Sequence, residues 1–311
     1  MEVSAKLVKE LRDKTGAGMM DCKRALLESG ADIETAVEYL RKKGLMDAAK
    51  KASRTAADGL IAFAISDDKT KASIIELNSE TDFVAKNDKF QALACEIAKI
   101  ALQCDDLSLD GILGASYTGK NNTVKEEIDS LISLVGENMS LRRSEQLTTK
   151  VDTTIAGYMH NAVSSNLGKI GVLVAIKSNS DNYNRLNEFG RRIAMHIAAA
   201  NPAYLSVDEV PSSVIAKEKS IILEQAKEIG KPADIAEKMA EGRVKKFMEE
   251  IVLLEQVFVM DSKLKVREVI ENFSKEISKE VSVVKFIKYV LGEGIKKTES
   301  NFAEEVMSFI K

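Results

Sequence analysis

Residues 72–78 read Ala72-Ser73-Ile74-Ile75-Glu76-Leu77-Asn78, and residues 81–87 read Thr81-Asp82-Phe83-Val84-Ala85-Lys86-Asn87. The first run is rich in strand formers and holds neither Pro nor Gly, so it predicts a strand. The second leads into Phe90, Leu93, Ala94, Ile97, Ala98 and Ala101, which share one helix face. Asp82 and Phe83 therefore sit where a strand hands over to a helix. Asp82 can cap the incoming backbone N–H groups, or Asn87 can do so one turn later. If the helix is unbroken, Phe83 lies seven residues before Phe90 and is ordinary core, the reading that aromatic burial favours. If the helix starts at Asn87, Phe83 lies outside it and projects outward.

Working outward, 59–65 is a second strand-like run, and Ser66-Asp67-Asp68-Lys69-Thr70-Lys71 is a polar turn, so 59–77 reads as a hairpin. After the helix, a polar stretch with Gly111, Gly114, Gly119 and Asn121-Asn122 reads as loop. A helix over 124–135 and a strand over 139–147 follow. The pattern then recurs. Ile155-Ala156-Gly157-Tyr158 echoes Ala57-Asp58-Gly59-Leu60, 168–176 reads as the paired strand, and 187–200 supplies the helix. Two hairpin-plus-helix units predict a duplicated α+β core with small antiparallel sheets; chance likeness of two common motifs is the alternative.

The flanks are helical. Three short helices are expected at about 4–15, 20–29 and 33–43, broken at Gly16, Gly18 and Gly44, with Asp32 as an N-cap. Helices over 214–229 and 235–250 are joined by Gly230-Lys231-Pro232, a stop-and-start pair that predicts an antiparallel helical hairpin. It is expected to protrude as a coiled coil. A helix over 266–273 and a strand over 281–291 come next. Phe302, Val306, Phe309 and Ile310 stripe a C-terminal helix, with Asn301 and Glu304 at capping-box spacing. The expected domains are a three-helix module with its linker at 1–54 and core subdomains at 55–150 and 151–291. The hairpin is inserted at about 211–250 of the second subdomain, and a C-terminal module covers 292–311.

The 311 residues are 45% hydrophobic and 30% charged, which leaves room for a real core and excludes a disordered chain. A net charge of −3 offers no basic field for nucleic acid. Cys22, Cys95 and Cys104 are an odd number at spacings that make neither a disulfide framework nor a metal site, so free thiols in a reducing compartment are expected. No run approaches the roughly 18 apolar residues of a membrane span. No signal-peptide core precedes Glu10, so a cytosolic protein is expected.

Catalysis has little to stand on. The chain has two His, and His196 falls on an apolar helix face as a satisfied core histidine, whereas His160 lies in a polar segment. Gly16-Ala17-Gly18 follows a helix and not a strand. Gly292-Glu293-Gly294 lacks the rest of a phosphate-binding fingerprint. No phosphate cradle, metal site or cofactor site can be drawn.

Several blocks together resemble the elongation factor Ts family. They are Leu7-Val8-Lys9-Glu10-Leu11-Arg12, Thr15 through Lys23, Ala56-Ala57-Asp58-Gly59, Thr81 through Asn87 and Ile193-Ala194-Met195-His196. Ile235 through Met239, Glu241 through Phe247 and Gly292-Glu293-Gly294-Ile295 complete the series. They occur in family order and span nearly the whole chain; the family usually has Pro where Val257 stands, which touches only local loop geometry. The resemblance implies a guanine nucleotide exchange factor for the GTPase elongation factor Tu, acting by binding and not by covalent chemistry. It implies that Asp82 and Phe83, shaped by Thr81 and Val84, enter the Tu G domain near the Mg²⁺ and phosphate site. It further implies that the N-terminal three-helix module, whose small bundle looks like a ubiquitin-associated-type module, docks on the Tu G domain around Met19, Met20 and Lys23, with core filling the rival reading for either Met. His160 is implied to face another Tu domain, and the terminal helix to return to the G domain. An adaptor that leaves the nucleotide alone and an enzyme dependent on His160 are the alternatives from other classes.

Overall fold

The computed structural model describes residues 3–150, 152–180, 182–230 and 232–295. Helices α1 (Ala5–Thr15), α2 (Met19–Glu28) and α3 (Ile33–Lys51) enclose a small core of Val8, Leu11, Cys22, Ala25, Leu26 and Ala36. Ser4 caps α1, Gly16 ends it in the left-handed region, and the Asp32 carboxylate caps α3 by accepting from the Thr35 N–H.

Strands β1 (Asp58–Ile65) and β2 (Lys71–Ser79) form the expected hairpin. Next come the one-turn α4 (Asp82–Ala85), α5 (Asp88–Gln103), α6 (Leu109–Gly114), α7 (Val124–Val135) and β3 (Met139–Thr148). The second half holds β4 (Thr153–His160), β5 (Leu167–Gly168), β6 (Ile170–Ser178) and α8 (Tyr183–Ala200). It continues through α9 (Ser212–Glu228), α10 (Ala233–Ile251), α11 (Val266–Ile277) and β7 (Val281–Val290). The class is α+β: helices surround two small sheets whose strand pairs are all antiparallel, in the orders β3-β2-β1-β5 and β4-β6-β7.

The two sheets pack face to face. Alternate residues of β1 and β2 therefore serve two cores, since successive side chains of a strand point to opposite faces. Leu60, Ala62, Ile75 and Leu77 meet α5 and α7 on one side. Ile61, Phe63, Ala72 and Ile74 meet Ile155, Met159, Leu173 and Ala175 of the second sheet on the other. A third cluster sets β6 and β7 against α8 and α11, where Phe189 and Phe273 stack with ring centroids 4.0 Å apart. The helix-over-hairpin pattern thus occurs twice, back to back.

Three expectations need correcting. Gly44 does not stop the third helix, which runs to Lys51. Gly44 faces α7, where a Cβ would make an ordinary contact with the Ser133 side chain at 3.5 Å. The packing of α3 on α7, with Ala48 buried one turn on, offsets the ~1 kcal/mol that glycine costs a helix. The run 168–176 is not one strand: 167–168 pair with β1 of the first sheet, and from Ile170 the chain pairs with β4 of the second. A Cβ on Gly168 would stand 2.9 Å from the His160 carbonyl oxygen, so the crossing needs glycine. The polar stretch before α7 is not all loop, because Ser108 accepts from the Gly111 N–H and opens α6.

Helices α9 and α10 pack on each other, with Ile222, Ala226, Ala236 and Ala240 buried and their other described positions exposed or half-buried. Among the described residues no helix is long and apolar enough to cross a membrane. The C-terminal helix expected over 302–310, with Asn301 and Glu304, lies outside the described residues.

His196 is buried on α8, as its apolar face foretold. Its Nδ1 accepts from the Val259 N–H at 3.2 Å, which leaves the proton on Nε2, 2.9 Å from Gln256 Oε1. Burial pushes its pKa below the ordinary value. The unfolded chain binds a proton near pH 6.5 while the folded imidazole resists it. This contribution to stability is complete above that pH and is lost as pH falls toward the lower folded value. Urea melts at pH 7.5 and 5.5 should show a drop in stability on acidification that is smaller in His196→Gln.

Candidate partner-binding site

The handover between β2 and α5 is a built loop. Asn87 caps α5, its side chain accepting from the Lys89 N–H at 2.9 Å, so the second capping option holds. Because the helix starts there, 82–85 form a separate turn. Within that turn Val84 and Ala85 point into the first core at 4% exposure each, and Phe83 points away at 77%. Core placement of Phe83, the weightier reading from burial preference alone, is thereby overturned. The short turn rotates it off the stripe that Phe90 begins.

Thr81 is held at both of its donors. Its backbone N–H and its hydroxyl donate to the two oxygens of Glu137 at 2.9 and 2.8 Å. The Ser79 hydroxyl donates to the Thr81 carbonyl, and the Glu80 carboxylate accepts from the Asn138 N–H. Lys86 lies 2.7 Å from Asp82 Oδ2 and 5.4 Å from the centre of the Phe83 ring. That hydrogen bond holds the Asp82 carboxyl below its ordinary pKa. An exposed aromatic ring and a carboxylate are therefore presented on a turn whose opposite side is anchored in the core.

The other candidates lie on different elements. Met19 and Met20 open α2 at 46% and 70% exposure, and Lys23 is exposed one turn on. Neither Met fills the module's core, so core filling fails for both. A Cβ on Gly16 would lie 3.4 Å from Lys89 Nζ, so the turn before α2 abuts the start of α5, near the Phe83 turn. His160 is exposed at the end of β4, its Nδ1 3.2 Å from the Tyr158 hydroxyl. These residues lie at the surface on separate elements.

Glu137 and Lys86 were missed by sequence reasoning. Lys86 was legible, at helical spacing from Asp82. Glu137 was not, since only folding brings it across 56 residues to Thr81. Glu137→Gln turns one acceptor oxygen into an NH2 donor and removes the charge from the other, and a bond to a charged acceptor is worth about 1.5–3 kcal/mol. Amide exchange at Thr81 should then rise by at least about tenfold with little change across β1, which hydrogen-exchange mass spectrometry would read.

The comparisons with known proteins bear on this geometry. The family model described as Elongation factor TS matches residues 80–293, a span that opens on this turn. The chain belongs to the elongation factor Ts family. It is 48% identical over 305 residues to the Elongation factor Ts of Paramagnetospirillum magneticum, covering 98% of this chain and 96% of that relative. It is 47% identical over 307 residues to that of Rhodospirillum centenum, with 99% and 98% covered. Against the Elongation factor Ts of Bartonella henselae it is 48% identical over 311 residues, the full length of both chains. Membership of the elongation factor Ts family thus rests on the whole chain and not on the Thr81–Asn87 block alone.

Proposed function

We propose that this chain is the guanine nucleotide exchange factor of an elongation factor Tu, a cytosolic translation factor that acts by binding and catalyses no covalent step. The observation that carries the reading is Phe83, a large apolar ring left in solvent by a turn anchored on its other side at Val84, Ala85 and Thr81. A ring of that kind buries on the order of 150–250 Å² when a partner closes over it, enough for an interface anchor.

In this reading Phe83 wedges between side chains of the Tu G domain beside its Mg²⁺ and phosphate site. Asp82, kept ionised and oriented by Lys86, redirects polar groups there. Mg²⁺ demands near-ideal octahedral geometry, so a small displacement of the groups around it costs much of the nucleotide's affinity. Met19, Met20 and Lys23 of the N-terminal module, read as ubiquitin-associated-type over 1–54, add a second contact on the G domain. His160, in the core subdomain read as 151–291, faces another Tu domain, and the module read as 292–311 returns to the G domain. The α9–α10 hairpin is read as a protruding coiled coil.

Linkage supplies the test. If this chain weakens GDP binding to Tu by some factor, GDP weakens this chain's binding to Tu by the same factor. Titration calorimetry with nucleotide-free and GDP-loaded Tu should differ by roughly 100- to 1000-fold, the equivalent of about 3–4 kcal/mol. Equal affinities would replace exchange with the adaptor reading.

A further inference from the structure

The turn Gly136-Glu137-Asn138 joins α7 to β3 and is fixed at both ends. Gly136 ends α7 in the left-handed region, with φ of +90°, and its N–H donates to the Ile132 carbonyl. Met139 then enters the first core as β3 pairs with the end of β2. Between these two fixed points Asn138 faces two separate segments. Its backbone N–H donates to Glu80 Oε1 at 2.5 Å, on the chain that leads into the Asp82–Phe83 turn. Its side-chain Nδ2 donates to the Arg54 carbonyl at 2.7 Å, on the chain that leaves the N-terminal module. The Arg54 guanidinium in turn lies 3.6 Å from the same Glu80 oxygen, which closes the group of three.

With Glu137 on Thr81, one short turn therefore grips both segments. Asn138 is buried, and a buried amide costs free energy unless its donors are met. Its two contacts span 58 and 84 residues, so no cap or local turn calls for an amide here. The segments it holds belong to the two exposed apolar sites. Arg54 follows the end of α3, which packs on α2, whose first turn shows Met19 and Met20. Glu80 comes just before the turn that shows Phe83. Helix α3 itself rests on α7 near Ala48, so the module is seated without Asn138. What Asn138 adds is the place where the end of that module is held relative to Glu80. Two contacts on one body engage a partner together only when their separation matches. Holding that separation in advance removes an ordering cost from binding.

We infer that Asn138 is a positioning residue: it ties the chain leaving the N-terminal module to the strand end that carries the Asp82–Phe83 turn, so that Met19, Met20 and Phe83 meet one partner at a fixed separation. The inference rests on the exchange reading for its consequence, though not for the tie itself. Asn138→Ala removes the side-chain donor and keeps the backbone N–H on Glu80. Asn138→Asp keeps the shape and sets a carboxylate against the Arg54 carbonyl. Hydrogen-exchange mass spectrometry on either full-length variant should show the amides of 50–54 exchanging at least about fivefold faster, with Thr81, β1 and α5 unchanged.

In GDP release from Tu, either variant should raise the half-saturating concentration by about fivefold and leave the plateau rate within about twofold. In a full-length Met19→Ser, Met20→Ser background, Asn138→Ala should add less than about twofold, because the separation matters only while both contacts are made. Unchanged exchange at 50–54, faster exchange throughout β1 and α5, or an undiminished Asn138→Ala effect in that background would overturn the tie as a positioning device. A wild-type chain that leaves GDP release unaltered would sink the exchange reading instead, and hydrogen exchange at 50–54 would still judge the tie.

Discussion

Phe83→Ala is expected to slow GDP release from elongation factor Tu by roughly 30- to 150-fold at a fixed subsaturating concentration, the equivalent of about 2–3 kcal/mol of lost anchor contact. The fold should barely notice. At 77% exposure the ring fills no cavity in this chain, and what it loses is solvent-facing contact with Lys86. Surface changes of that kind stay within about 0.5 kcal/mol. The separation of the two effects makes the prediction sharp, because a core aromatic would show the reverse. Phe90, seven residues on and fully buried, should cost about 3–5 kcal/mol of stability as Phe90→Ala. Stopped-flow release paired with a urea melt on each variant reads both quantities.

Gly59→Ala is expected to be the most damaging single-methyl change in the first sheet. Gly59, the second residue of β1, has φ of +122°, a region that side chains rarely adopt. A Cβ there would lie 2.2 Å from the Leu77 carbonyl oxygen and 2.7 Å from the Asn78 Cα. Both obstacles are backbone of the paired strand, so relief requires moving β2, the strand that ends at the Thr81 turn. Backbone strain plus a lost ladder contact should cost at least about 3 kcal/mol. Denaturant midpoints would show it, and amide exchange should rise across both β1 and β2. A fall below about 1 kcal/mol would mean that the hairpin yields more easily than this packing implies.

The elements were legible where local chemistry decides them. The hairpin around Ser66–Lys71, the Asn87 and Asp32 caps, and the break at Gly230 each follow from residues within one turn of one another. Phe83 marks the limit. Its direction depends on the chain breaking between 82–85 and Asn87, and both the continuous and the broken helix satisfy the apolar spacing. Gly44 was misread because a glycine that ends a helix and one inside a helix held by its packing on α7 look alike until α7 is in place. The split at Lys169 was hidden for the same reason, since β-rich residues on either side say nothing of which sheet they join. Glu137 was out of reach: its partner Thr81 lies 56 residues away, so it shows no periodicity or cap signal. For the proposed site, the motif singled out Asp82 and Phe83, and the anchoring that leaves the Phe83 ring exposed is visible only in the fold.

The most direct test of the account is stopped-flow release of a fluorescent GDP from elongation factor Tu, with and without this chain at saturating concentration. The account predicts strong acceleration by the wild-type chain that rises to a plateau with its concentration. Proven binding to Tu with release no faster than the spontaneous rate would contradict it and leave a docking protein in its place.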